Sequence, residues 1–405
     1  MKFKIFTAII FLIIFSLNIF INYQVYNELI KDKIVQEDFI VENVYNKELY
    51  DVLKLSTNEY FLFTSVDKNL NLEKLDRVKL AFITNKITFL DFLKGFYVQN
   101  IFIEKIEKPN SLKEDIYQNI KLQHNTSLNQ DLFSALFLAI PISSELRDIT
   151  NTFGISHLLA LSGFHLGLIL FFSYWIIYAF YSPLHQKYVP YRNKKFDALV
   201  VSGVMIFTYL IFTNVVPSLL RAFVMFVFGL YLLRNNIKIF SFLNLFLVLL
   251  IIVALFPKYA FSISLWFSIS GVFYILLYVK YFSSLNKYIS FLLFNFWIFF
   301  ALNPIILYFF DVVSYAQLFS APITLAFILF YPIEIVLHLL EYGYILDKYL
   351  LWLFELNFEV KRYITEFYFL MFFLIVSFWA IYKKIAFYVL NSLIVCFNIY
   401  VYLIV

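Results

Sequence analysis

The sequence predicts a polytopic α-helical membrane protein with a small β-domain threaded in after the first helix, and three observations predict it. The chain is 62% hydrophobic and 22% aromatic, with a mean hydropathy of +0.80, more apolar surface than a soluble core can hide. Runs of about 18 or more apolar residues recur along it, roughly eight to ten of them, each long enough to cross the hydrocarbon of a bilayer. One stretch of about a hundred residues, from Tyr23 to Gln130, breaks that pattern with a charge every few positions.

The first apolar segment, Ile5–Ile21, follows Lys2 and Lys4. It has no clear small-x-small cleavage site, so it reads as an uncleaved anchor over residues 1–23. The two lysines place the N-terminus in the cytoplasm, which puts the charged stretch on the outer side of the cytoplasmic membrane. Polar alternation among β-branched and aromatic residues predicts strands at Asp38–Tyr45, Val52–Leu55, Tyr60–Val66, Arg77–Ile83 and Val98–Ile106. Five short strands suggest an OB-like β-barrel over residues 24–110; an unspecified small β-domain is the plainer alternative. A helical connector, residues 111–150, follows with helices at Leu112–Leu122 and Leu128–Ile142.

Spans are expected at about 153–180, 196–216, 217–233, 238–256, 259–279, 288–310 and 313–340, within a membrane domain of residues 151–340. Two more, 366–382 and 385–404, make up residues 366–405. Between them, Tyr342–Thr365 mixes apolar and charged residues and reads as an amphipathic interfacial segment, residues 341–365. Basic loops alternate with the spans: Lys187, Arg192, Lys194 and Lys195, then Arg234 and Lys238, then Lys280 and Lys287. Lys383 and Lys384 fall on the wrong side unless Glu341–Thr365 supplies an odd crossing or the 313–340 segment is broken at Pro322 and Pro332.

The stretch Gly154–Leu170, GISHLLALSGFHLGLIL, is apolar enough for a membrane yet carries two histidines, two serines and three glycines. In one continuous helix, His157 and His165 share a broad face with Ser162, Gly163 and Gly167 beside it. Such a surface is expected to face protein, water or substrate rather than lipid. Two histidines satisfied inside a bundle and a polar pathway lining both fit. The spacing is not that of a metal site. Gly163 and Gly167 form GxxxG, which points to close helix packing or to a bent helix. Arg221 stands one turn into a helix begun by Pro217 and Ser218; anchoring and a cation at the mouth of a pathway are both open to it. Asn295, Asn303, Pro304, Gln317 and Pro322 are further polar or helix-breaking residues at depth.

Residues Gln24–Gln130 hold 14 Lys and Arg against 16 Asp and Glu, net −2, while the remainder is +7. The β-domain is therefore no strong electrostatic trap for a polyanion, although Lys68, Lys74, Arg77 and Lys79 could form a local patch. Tyr60, Phe61 and Phe63 could stack bases if exposed, though most are expected in the core. Nothing in the chain reads as a phosphate-binding Gly-rich loop or a metal-ligand cluster, so no ATPase, metal or other cofactor is expected. The single cysteine, Cys396, excludes an internal disulfide in these 405 residues.

GISHLLALSGFHLGL resembles the signature of the ComEC family of competence proteins. The upstream ALFLAIPISSELRDITNTF resembles that family's lead-in, with Ile140-Pro141 in place of a usual Gly-Asp. PSLLRAFVM, FSISLWFSISGVFYIL and SYAQLFSAPITL resemble three later family segments, the last with Gln317-Leu318 for Asn-Leu. LEKLDRVKLAFI and TFLDFLKGFYVQNIFI resemble parts of the family's outer, OB-like domain. The resemblance covers about residues 30–335. It implies a bacterial channel, not an enzyme, that passes single-stranded DNA across the cytoplasmic membrane during natural transformation. His157, Ser162, Gly163, His165, Gly167, Ser218 and Arg221 would lie on the DNA path, with the β-domain receiving the strand. The implied partners are DNA, membrane lipids, an outer DNA receptor and a cytoplasmic helicase or strand-binding machinery; self-association is compatible with this. The metallo-β-lactamase-like domain of many members is not expected here. The rival classes are a membrane transferase acting on a lipid-linked phosphate, with a histidine base and Arg221 on the phosphate, and a small-molecule transporter.

Overall fold

The computed structural model describes residues 2–404 except 58, 71, 86, 107–110, 160–162 and 236–240, and it leaves undescribed the side chains of residues 2–8, 69 and 404. Among the described residues eight helices are long and apolar enough to cross a membrane, and Phe242–Leu255 and Phe367–Trp379 are shorter apolar helices. The protein is a multi-pass membrane protein. The chain divides into two compact units. One comprises Met1–Ser144, Leu161–Ile237 and Phe246–Leu265; the other comprises Glu145–Ala160, Lys238–Leu245 and Trp266–Val405.

In the first unit, helix α1 (Lys2–Lys31) runs well past the expected anchor. Its 30 residues extend about 45 Å, half as long again as the hydrocarbon. The excess is used: Leu29 is buried in the β-domain core, with Ile19, Val25 and Tyr26 packed against it, and Tyr26 Oη donates to the carbonyl of Ile87 at 2.9 Å. The β-domain follows as β1 (Ile34–Asn46), β2 (Asp51–Ser56), β3 (Phe61–Val66), β4 (Arg77–Ile83), helix α2 (Phe89–Lys94), β5 (Phe96–Tyr97) and β6 (Asn100–Ile106). The expected strands are all present, and β5 and α2 are additions. The sheet is mixed, in the order β5-β3-β2-β1-β4-β6. Phe39, Val41, Leu53, Leu55, Leu62, Val78, Leu80 and Phe82 alternate into its core.

Its two edge strands, β5 and β6, are separated in sequence by only Val98 and Gln99. A flat sheet of this width would hold its edges about 24 Å apart, whereas three Cα steps reach about 10 Å, so the sheet curls. Asn100 Nδ2 donates to the carbonyl of Ser65 across the gap at 2.9 Å. No ladder joins β5 to β6 among the described residues, so the expected barrel is a curled six-strand sheet without shown closure.

Helices α3 (Leu112–Gln123) and α4 (Ser127–Leu138) match the expected connector. The second stops short of Ile142 because Ala139 turns left-handed, φ +58. Helix α5 (Ser144–Thr152) precedes the stretch expected as a single helix from residue 153, whose described helical parts are α6 (Ser156–Leu159) and α7 (Gly163–Tyr188). Then come α8 (Lys194–Phe212), α9 (Pro217–Arg234), α10 (Phe242–Leu255), α11 (Ile263–Phe282), α12 (Lys287–Phe309), strand β7 (Val312–Val313), α13 (Ser320–Leu339), α14 (Asp347–Phe354), strand β8 (Lys361–Arg362), α15 (Phe367–Trp379) and α16 (Lys384–Ile399). The amphipathic segment expected over 341–365 is helical only at its 3₁₀ turn Gly343–Leu346 and at α14.

Within the second unit hydrogen bonds show which ends of the helices lie at the same level. Strand β7 pairs with β8, Tyr363 N–H donates to Asp311 O, and Thr365 N–H donates to Leu307 O. The chain thus leaves the end of α12, descends α13 and returns to its starting level at β8. At the other level, Tyr281 Oη, near the end of α11, donates to the carbonyl of Ala380 at 2.7 Å, and Lys280 Nζ donates to Ile381 O. Lys383 and Lys384 therefore lie at the same end of this unit as Lys280, and the chain between α13 and β8 returns to the level of β7. Tyr274, Trp297, Phe373, Phe387 and Leu390 form the core between α11, α12, α15 and α16.

Candidate functional site

The signature begins on a helix terminus. Helix α5 ends in a Schellman motif: Ile155 N–H donates to Thr150 O and Gly154 N–H to Asn151 O, with Gly154 left-handed at φ +65, the position glycine favours. A side chain there would also meet Gln317, whose Cβ and Cγ lie 3.3 Å from the place of a Cβ. Gln317, at the 3₁₀ turn Tyr315–Phe319, clamps this loop. Its Nε2 donates to Asn151 O at 3.1 Å and to Val312 O at 2.9 Å. Its Oε1 accepts from Tyr402 Oη at 2.8 Å. Tyr402 in turn accepts from Asn303 Nδ2 at 3.2 Å, and the same amide donates to Asn398 Oδ1 at 2.7 Å. A continuous chain of buried polar groups thus ties the signature loop to α12 and to the end of the last helix.

His157, in the four-residue α6, is exposed and is not a core histidine. Its Nδ1 faces the Gly154 carbonyl at 3.1 Å, which fixes the proton on Nδ1 and leaves Nε2 an acceptor. Thr324 Oγ1 stands 3.3 Å from Nε2, but its hydroxyl donates to Ser320 O at 2.7 Å. Ser320 Oγ also donates to the Gly154 carbonyl, at 2.9 Å, and Ser156 Oγ donates to Asn151 Oδ1 at 2.6 Å. The turn therefore presents an imidazole on a rigid mount, with the Thr324 hydroxyl beside its Nε2.

In the first unit Arg221 and Gly163 meet. A Cβ on Gly163 would lie 2.8 Å from Arg221 Nη2 and 3.3 Å from Ala222 Cβ, so a side chain on the first residue of α7 would displace the guanidinium and crowd α9. Arg221 is 6% exposed, as is Ser218, and Arg221 Nη1 lies 3.0 Å from Met225 Sδ. Arg221 is therefore buried against the start of α7 and does not snorkel. His165 is also fully buried. Gly167 is exposed with nothing within 4 Å of its Cβ position, so the close-packing reading of GxxxG holds at Gly163 and fails at Gly167. Ser162 lies outside the described residues.

The turn feeding α9 is strained. Asn214 and Val215 are both left-handed, φ +59 and +53, a costly conformation for a β-branched residue. Val215 N–H donates to Leu210 O, and Tyr259 Oη donates to the Val215 carbonyl at 2.8 Å.

In the β-domain the expected basic patch is partly neutralised. Lys74 Nζ lies 2.8 Å from Asp131 Oδ1, and Lys79 stands in register between Asp38 and Glu104. Lys68 is exposed and Arg77 half-buried. Tyr60 is core, 6% exposed; Phe61 and Phe63 are half-buried on the outward face. Among the described residues no three His, Cys, Asp or Glu side chains gather to hold a metal. The sequence reading missed Tyr402 and Thr324, which look like ordinary span residues. Asn303 and Gln317 had been singled out one by one, with nothing in the sequence to join them.

The fold and this site define a polytopic membrane protein whose long apolar helices carry an internal polar network and a buried arginine. Residues 141–402 match the family model described as Competence protein, and the chain belongs to this competence (ComEC) family. The match starts after the β-domain, whose resemblance to the family it does not include, and it runs past residue 335 through Tyr402, at the end of the polar network. No curated protein and no solved structure gives a match.

Proposed function

We propose that the protein conducts single-stranded DNA across the bacterial cytoplasmic membrane during natural transformation. The observation that carries this reading is the family match over residues 141–402, which takes in nearly all the membrane helices. In it the N-terminus is cytoplasmic, as Lys2 and Lys4 favour, and the β-domain is extracytoplasmic. A polyanion must be screened from hydrocarbon without being held too tightly to leave. Glycines, hydroxyls and widely spaced cations such as Arg221 suit that lining better than a dense basic surface. The protein acts here as a conduit without catalysis of its own, and the pulling force comes from a cytoplasmic helicase or strand-binding partner.

Labelled DNA supplied to cells lacking the protein is expected to stay outside the cytoplasm while surface binding persists. Undiminished cytoplasmic label and transformation in those cells would overturn the proposal.

A further inference from the structure

The turn between α7 and α8 joins two helices that are each long and apolar enough to cross a membrane, so it lies at the bilayer surface. From Lys187 to Asp197 four basic residues, Lys187, Arg192, Lys194 and Lys195, stand against the one acid, a net +3. Side-chain contacts fold this turn onto one face of α7, formed by Tyr178, Tyr181, Ser182 and His185 at helical spacing. His185 Nε2 lies 2.8 Å from Arg192 O. Arg192 is committed to Asp197, donating from Nε at 2.9 Å and from Nη2 at 2.8 Å, and Tyr181 Oη donates to the same carboxylate at 2.9 Å. Asn193 caps α8, its side chain accepting from the N–H of Lys195 at 3.1 Å. The acid of the turn is thus taken, and the shape of the turn is fixed by its own bonds.

Lys194 is left without an acid. It is half-buried, its Nζ donates to Ser182 Oγ at 3.2 Å, and the same Nζ sits 5.0 Å from the centre of the Tyr178 ring. An ammonium carries three N–H bonds and a serine hydroxyl one O–H. Among the described residues neither the Ser182 proton nor the other Lys194 protons meet an acceptor, and neither Lys187 nor Lys195 forms an ion pair. Charged and neutral donors that converge without an acceptor suit a phosphate.

Two features favour the phosphate of a lipid. The donors stand at the ends of two spans, where basic residues meet the headgroups and attract the anionic ones. Toward the middle of α7, Tyr178 stacks on Tyr174 with ring centres 5.7 Å apart, and both residues are half-buried, an apolar strip along which a chain can lie. Tyr188 and Tyr191, 66% and 84% exposed, are rings of the kind that settle at headgroup depth. We infer that Lys194 and Ser182 bind the phosphate of an anionic phospholipid, with Lys187 and Lys195 adding charge from the same turn and an acyl chain lying along Tyr178 and Tyr174. The inference rests on the membrane class of the protein and is independent of the conduit reading.

The test is native mass spectrometry of the full chain released from nanodiscs of mixed phosphatidylcholine and phosphatidylglycerol, counting the lipid it retains. The wild type is expected to retain phosphatidylglycerol in preference to phosphatidylcholine. Lys194→Met is expected to weaken that retention about five-fold, one lysine's share of about 1 kcal/mol. Lys194→Arg keeps the charge and is expected to retain the lipid, which separates charge from folding. Lys383→Met, at an exposed lysine of the other unit, is the control and is expected to match the wild type. Retention by Lys194→Met equal to the wild type, no preference for phosphatidylglycerol, or equal loss in the arginine variant and the control overturns the inference. If soluble glycerol phosphate displaces the lipid as well as added phosphatidylglycerol does, the site takes a small anion and the inference fails. If a fluorescent oligothymidylate displaces the lipid and its own binding is lost in Lys194→Met, the site takes a nucleic acid and the inference fails too.

Discussion

Tyr402, three residues from the end of the chain, donates its hydroxyl to Gln317 Oε1 at 2.8 Å, and through Gln317 it fixes the loop that opens the family signature. Tyr402→Phe leaves that amide oxygen buried without its donor. A loss of about 1 kcal/mol is expected, read as a lower Tm of the purified protein in detergent. An unchanged Tm would show that the last helix does not brace the signature loop.

Glycine substitutions separate geometry from composition. Gly154→Ala forces a left-handed alanine against Gln317 and is expected to cost about 1 kcal/mol or more. Gly167→Ala meets open space and is expected to be neutral or slightly stabilising. Equal effects in thermal unfolding would contradict the assigned environments.

Val215→Gly is expected to stabilise the protein, because glycine relieves the left-handed strain; the gain is of order 1 kcal/mol less glycine's extra unfolded-state entropy. DNA import by this variant tells whether the strain matters to function: import at the wild-type level would make it incidental.

Glu334 is fully buried in α13, with Oε2 3.3 Å from His338 Nδ1. The imidazole Nδ1 also lies 2.8 Å from the Glu334 carbonyl. His338→Leu takes away the one polar side chain facing the buried Glu334 carboxyl at 3.3 Å and is expected to cost about 1–3 kcal/mol, whereas the isostere Glu334→Gln is tolerated better. Thermal unfolding of the two variants decides it; a Glu334→Gln chain that is the less stable of the two refutes the expectation.

At the edge of the β-domain, Asp91 closes a capping box with Thr88, and the hydrogen bonds from Thr88 hold its carboxyl below the usual carboxylate range. The folded protein thus binds this proton less well than the unfolded chain. Its stabilisation is complete above the ordinary carboxylate range and disappears as pH falls through the folded value. The protection factors of the α2 amides, corrected for the intrinsic exchange rate at each pH, are expected to fall on acidification in the wild type, and the fall is expected to be absent in Asp91→Asn.

Much of this was legible in the residues. Apolar runs locate spans because lipid accepts little else, and alternation located the five main strands because one face of each packs on Phe39, Leu55, Leu62 and Leu80. The Schellman turn at Gly154 was not legible, because the sequence on either side of it, in α5 and α6, reads as helix. Gly163 and Gly167 look identical in sequence and differ only in that α9 approaches one of them.

By itself the sequence determined the membrane class, the inserted β-domain and the family, since these depend on composition, period and local motif. Tertiary structure decided which polar residues cooperate. Asn151, Gln317, Asn303, Asn398 and Tyr402 are spread over some 250 positions. A buried hydrogen bond or a shared charge depends on separations of a few ångströms, which only the packing of distant segments can set.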